Sequence, residues 1–161
     1  MDICLLQKNI IYESLIEILI LPDTNVSQIF SMLSKNKESY FIDTKGNLRI
    51  KNNLYKIFTI SEYFSTINTF LENKRNFILF IDSITFVSDM CTTKEKMKEM
   101  YNILWKVIYN TKSTVIVTNH YNKNNNSFVA RLGYMWRRII TQRIKIKENG
   151  EYQYMITNYA S

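Results

Sequence analysis

Four apolar runs, three of them ending on a polar group, constrain this chain more than anything else in it. They are residues 14–21 (SLIEILIL), 39–43 (SYFID), 77–82 (FILFID) and 114–118 (TVIVT). None alternates strictly between apolar and polar side chains. A strand that is half exposed alternates, whereas one covered on both faces reads as a continuous apolar run. The segments between them carry a helical period. Val26, Ile29, Phe30 and Leu33 recur at i, i+3, i+4 and i+7, as do Met97, Met100, Tyr101, Leu104 and Ile108 further on, and Phe64, Ile67 and Leu71 share a third face. Strands separated by helices predict an α/β fold with a mainly parallel sheet covered on both sides. The last segments behave differently. Residues 139–147 and 152–157 alternate and flank Asn149–Gly150, so a C-terminal antiparallel hairpin is expected.

Capping chemistry sets the expected boundaries. Asp23 or Thr24 is a candidate N-cap for the first helix, Ser61 for the second, and Thr92 with Glu95 fits a capping box for the third. Gly46–Asn47 is turn chemistry. A short helix is expected at 52–56 and a strand at 57–60. Residues 87–93 read as a loop, and residues 119–131, polar and Asn-rich, as structureless. At 161 residues, 46% of them hydrophobic, the chain is one domain's worth and has enough apolar side chains for a core. Two cysteines, Cys4 and Cys91, make neither a disulfide framework nor a metal-ligand spacing, which points to a reducing compartment. No apolar run approaches a membrane span, and the N-terminus lacks a basic start and a small-residue cleavage site, so neither a membrane partner nor a secretory signal is expected. The net charge of +7 permits an acidic partner such as nucleic acid.

In open parallel sheets, ligands sit at the carboxyl ends of the strands. The decisive stretch is the turn after the first strand. A phosphate-cradling loop reads G-x-x-x-x-G-K-[ST], because glycines let backbone N–H groups wrap the phosphates and the lysine neutralises them. Aligned there are Ile20, Leu21, Pro22, Asp23, Thr24, Asn25, Val26 and Ser27. Ile20 and Asn25 replace the glycines, Val26 replaces the lysine, and only Ser27 survives. Asp82, at the end of an apolar strand, has the place of a carboxylate that holds Mg²⁺, but a strand-end aspartate bonded to neighbouring N–H groups is the expectation here.

Four segments in order then resemble one family, the RecA-type recombinases, and within it the eukaryotic strand-exchange recombinase and its paralogues. Tyr40–Phe41–Ile42–Asp43–Thr44–Lys45–Gly46 is similar to Y-I-D-T-E-G. Leu79–Phe80–Ile81–Asp82–Ser83 is similar to the Walker-B strand L-I-V-D-S. Val115–Ile116–Val117–Thr118–Asn119–His120 is similar to V-V-I-T-N-Q or the T-N-H of some paralogues. Leu132–Gly133–Tyr134–Met135–Trp136 with Thr141–Gln142–Arg143–Ile144 is similar to L-G-x-x-W…T-R-[IL]. Order and spacing are similar to the family's from about residue 14 to 157, nearly the whole chain.

The resemblance implies a RecA-like core occupying 1–161 as one pseudo-ATPase domain, since the Walker A loop is gone and Lys45 replaces the glutamate that activates water in the family. It implies a minimal, non-catalytic recombination mediator in the nucleus, without a bound cofactor or metal. Such a protein is expected in a hetero-oligomer with the recombinase and other paralogues, as in Shu-type complexes, and in contact with single-stranded DNA. The degenerate nucleotide site would be Asn25, Val26, Ser27, Lys45, Asp82 and His120. Two family loops contact DNA, here residues 88–96 and 121–131. They supply Lys94, Lys96, Tyr121, Lys123, Phe128 and Arg131 as candidates, with Arg137 and Arg138 just beyond. Cations interleaved with rings suit single strands, which offer phosphates and stackable bases. Trp105 and Trp136 are expected to be packing residues. Two other readings were open: an ATPase with an atypical phosphate loop in which Lys45 supplies the missing charge, and a structural subunit of another RecA-like assembly such as the Elongator subcomplex.

Overall fold

The computed structural model describes residues 10–124, 127–130, 132–146 and 152–156, with side chains described over 10–120 and 132–146. The strands are β1 (Leu15–Ile20), β2 (Ser39–Asp43), β3 (Leu54–Lys56), β4 (Ile78–Asp82), β5 (Thr114–Asn124), β6 (Ser127–Ala130), β7 (Gln142–Ile146) and β8 (Tyr152–Ile156). The helices are α1 (Val26–Leu33), α2 (Ile60–Asn73), α3 (Ile84–Asp89), α4 (Lys94–Thr111) and α5 (Gly133–Ile139). In space the strands run β3-β2-β4-β5-β1-β7-β8, and the first six are mutually parallel. The α/β class and the mainly parallel sheet are therefore as the apolar runs predict. At the edge, β8 lies antiparallel to β7, Gln142 opposite Ile156; the connecting residues 147–151 lie outside the described residues.

Every residue of β1, β2 and β4 is buried, which is why these runs do not alternate. Their side chains divide between two cores. Leu15, Tyr40, Ile42, Leu79, Ile81, Val115 and Val117 face α2, α3, α4 and α5. Ile16, Ile18, Ile20, Phe41, Ile78, Phe80 and Ile116 face the other way, where α1 is the covering helix. Phe80 is held there between Phe30, at 4.7 Å between centroids, and Phe41, stacked at 5.0 Å. Burying such a side chain stabilises by about 1.5–3 kcal/mol each.

Several local boundaries differ from the sequence expectation. The first helix is capped by Asn25, whose side chain accepts from the Gln28 N–H, not by Asp23 or Thr24. Thr59 rather than Ser61 caps α2, in a reciprocal capping box with Glu62. Thr93 rather than Thr92 caps α4. These are one- or two-residue slips among neighbouring oxygen-bearing side chains, any of which satisfies the same free N–H groups. Residues 54–56 form a strand, not a helix, because they pair with β2. Residues 57–59 are not a strand, and Ile60 already begins α2. Residues 84–89 are helical where a loop was expected from 87, since Ile84 and Val87 enter the core one turn apart. The largest correction concerns 119–131. β5 continues to Asn124 and pairs antiparallel with β6, Tyr121 opposite Ala130. A polar composition conceals a two-stranded ribbon, because main-chain pairing is open to residues of any side chain. Among the described residues no helix is long and apolar enough to cross a membrane.

Candidate functional site

Alternation along the parallel strands decides which way each strand-end group points. Asp43, Asp82 and Thr118 follow Phe41, Phe80 and Ile116, so they belong to the α1 face. There a cleft of about 240 Å³ is lined by Ile20, Pro22, Thr24, Asn25, Val26, Ser27, Lys45, Asn47, Leu48, Arg49 and Asp82. Five of the six residues of the predicted degenerate nucleotide site are thus gathered at one place. The sixth, His120, closes the β5 register opposite Ile20 of β1.

The loop after β2 is built around Asp43. One carboxylate oxygen accepts the N–H of Lys45 (3.0 Å) and of Gly46 (2.8 Å), the other that of Leu48 (3.0 Å). Gly46 sits at φ +78°, in the left-handed region that this tight turn requires. The turn aims Lys45 back at β4. Its ammonium lies 3.0 Å from Asp82 Oδ1, with Lys45 14% and Asp82 1% exposed. The same oxygen accepts the Thr118 hydroxyl at 2.5 Å. Asp82 is therefore held by an ammonium and a hydroxyl, not by the backbone N–H groups expected of a strand-end aspartate. Among the described residues its second oxygen has no hydrogen-bond partner, and Asp82 lines the cleft.

The turn that leads into α1 offers little to a phosphate. Asn25 turns its side chain onto the N-terminus of α1 and occupies a donor that a phosphate would use. The Ser27 hydroxyl accepts the N–H of Arg49 at 2.9 Å. Ile20, Pro22 and Val26 present carbon where backbone donors and a lysine would be needed. The residues present do not fit a nucleotide triphosphate with its metal: Lys45 stands at the carboxylate that would bind the ion. Among the described residues no group of three or more His, Cys, Asp or Glu is placed to hold a metal.

On the opposite face of the sheet lies a second constellation. Glu17, wholly buried, accepts from Asn119 Nδ2 (2.7 Å) and from the Trp136 indole N–H on one oxygen, and from the Arg143 guanidinium on the other. Asn119 in turn accepts the Thr85 hydroxyl at 2.7 Å. All five residues are buried. Trp136 is fully buried, as a packing residue should be, but its N–H also makes it part of this network. Trp105 is partly buried, packs against the core at its margin as a packing residue should, and stacks on exposed Tyr109, centroids 5.2 Å apart.

Glu17, Asn119 and Arg143 are not among the sequence-predicted site residues. A glutamate inside an otherwise apolar strand was the available signal, since a buried carboxylate demands donors. Of the predicted DNA contacts, Lys94 and Lys96 lie in the first turn of α4. Lys96 is engaged with Glu99 at 2.9 Å and lies 5.0 Å from the centre of the Phe64 ring. Arg137 and Arg138 are exposed on the last turn of α5, Arg138 over the Tyr134 ring at 5.6 Å. Tyr121, Lys123 and Phe128 belong to the ribbon strands, but their side chains lie outside the described residues, as does Arg131 entirely. No family model matches this chain, and no curated protein matches its sequence.

Proposed function

We propose that this chain is a non-catalytic RecA-like recombinase paralogue. It acts in the nucleus as a recombination mediator, within a hetero-oligomer of the recombinase and other paralogues, and it contacts single-stranded DNA. The observation that carries the reading is the Lys45–Asp82 pair. A parallel sheet with its cleft at the strand ends is a nucleotide-binding layout, yet here the chain's own ammonium sits on the strand-end carboxylate. Two of the four recombinase-like segments also meet in space: the T-N-H asparagine, the L-G-x-x-W tryptophan and the T-Q-R arginine all bond to Glu17. A net charge of +7 and exposed Arg137 and Arg138 favour an anionic partner.

The test is co-purification of the tagged chain with the recombinase and its paralogues from the same organism. Association with at least one is expected, and association with none removes the reading. The ATPase alternative asks Lys45 to serve a phosphate, but that ammonium is already engaged by Asp82. Calorimetric titration with ATP and Mg²⁺ is expected to release no binding heat.

A further inference from the structure

Single exposed apolar side chains are ordinary, so only their company is informative. In α3, Ile84, Thr85, Val87 and Ser88 are buried while Phe86 is 41% exposed. Its ring has the His120 ring on one side, centroids 6.4 Å apart, and the Lys45 ammonium 5.8 Å from its centre. One residue beyond Lys45, a β-carbon at Gly46 would stand 3.9 Å from the ring of Phe58, which is 59% exposed. Phe58, Lys45 and Phe86 follow the ends of β3, β2 and β4, and His120 lies within β5 where its pairing with β1 ends, in the order in which those strands lie side by side. They form a row of rings and one cation along the carboxyl edge of the sheet, leading to the ribbon of β5 and β6.

The buried network fixes this row against the arginines. Thr85, next to Phe86, donates to Asn119, and Trp136, next to Arg137, donates to Glu17, which also holds Asn119. The exposed ring of Phe86 on α3 and the exposed cations on α5 are thus linked through one buried hydrogen-bond network. Lys45 is already neutralised by Asp82, so it contributes little to an incoming phosphate. Flat rings joined through the core to cations on another element suit a ligand with separate planar and anionic parts.

We infer that Phe86, with Phe58 further along the edge, is a stacking platform for bases of single-stranded DNA whose phosphates meet Arg137 and Arg138. This rests on the DNA-contacting reading above and names where the bases go. Stacking contributes about 1–3 kcal/mol per base, equivalent to about 5- to 150-fold in affinity. It adds nothing to the salt dependence, which counts phosphates.

The experiment is fluorescence anisotropy with a labelled oligothymidylate and an abasic oligomer of equal length. It uses the full chain and its Phe86→Ala and Phe86→Leu variants, with unfolding midpoints as the control for folding. The expected result is a loss of about 5- to 150-fold on the oligothymidylate for both variants. The salt slope should stay unchanged, and the abasic oligomer should bind all three proteins alike. Wild-type affinity in the variants overturns the inference, as does an equal loss on both oligomers, while leaving DNA contact itself standing. If the wild-type chain binds neither oligomer, the DNA-contacting reading falls and takes this inference with it.

Discussion

Two buried carboxylates, Glu17 and Asp82, stand on opposite faces of the sheet and have been treated in opposite ways. Glu17 has donors on both oxygens, from three side chains on β5, β7 and α5, and none of them is open to solvent. Asp82 has two partners on one oxygen, none on the other, and a cleft beside it. A closed shell of donors makes a carboxylate part of the scaffold, since removing it strands every donor at once. An incomplete one leaves an oxygen unsatisfied beside a cleft from which water can approach its partner Lys45. The first is a joint between elements, the second the floor of a cleft.

The sharpest way to break this contrast is Glu17→Ala, which leaves Arg143 buried without its partner. Loss of one member of a buried pair costs about 3–5 kcal/mol, and urea unfolding should show a loss of that size. A loss below about 1 kcal/mol would mean that the shell is not the joint described. Trp136→Phe removes one donor and keeps a ring in place. Its expected cost, measured in the same way, is about 1–3 kcal/mol, the penalty of leaving a buried acceptor short. Lys45→Met is the matching change on the other face. Because water can enter the cleft and replace the ammonium, the expected loss is smaller, about 1 kcal/mol. A loss equal to that of Glu17→Ala would erase the distinction between the two carboxylates.

The smallest effect lies at the surface. The N–H groups of Phe58 and Thr59 hold the Glu62 carboxyl below its ordinary value of 4.5, the Phe58 contact being the largest cause. The folded state thus favours the ionised form. The stabilisation is fully present above about pH 4.5 and is lost as pH falls through the lower folded value. Comparing the acid limb of thermal unfolding in wild type and Glu62→Gln isolates it, and a flatter limb is expected in the variant. Burial raises the Cys91 thiol, so this half-shielded cysteine should alkylate more slowly at neutral pH than a free thiol of the ordinary kind.

The strands of this sheet were plain in the sequence because burial on both faces leaves a continuous apolar signature, and β4 shows it at all five positions. The candidate nucleotide cleft was legible for a related reason. Parallel strands place their ends together, so Asn25, Val26, Ser27, Lys45 and Asp82 meet whatever their separation in the chain. The ribbon was not legible. Its pairing is made by main-chain groups, which every residue carries, and the side chains of Asn122 to Asn124 announce nothing about them. Nor was the partnership of Glu17 with Arg143, 126 residues away. It depends on the parallel register of β1 with β7, which no local pattern encodes.

β5 is a central strand of the sheet as far as His120 and one arm of the ribbon beyond it, with no glycine or proline anywhere between Thr114 and Asn124. The same backbone runs from the ribbon into Asn119, whose side chain is bound to Glu17 of β1 and Thr85 of α3. Whatever the ribbon holds is thereby joined, through a single strand, to the interior of the sheet.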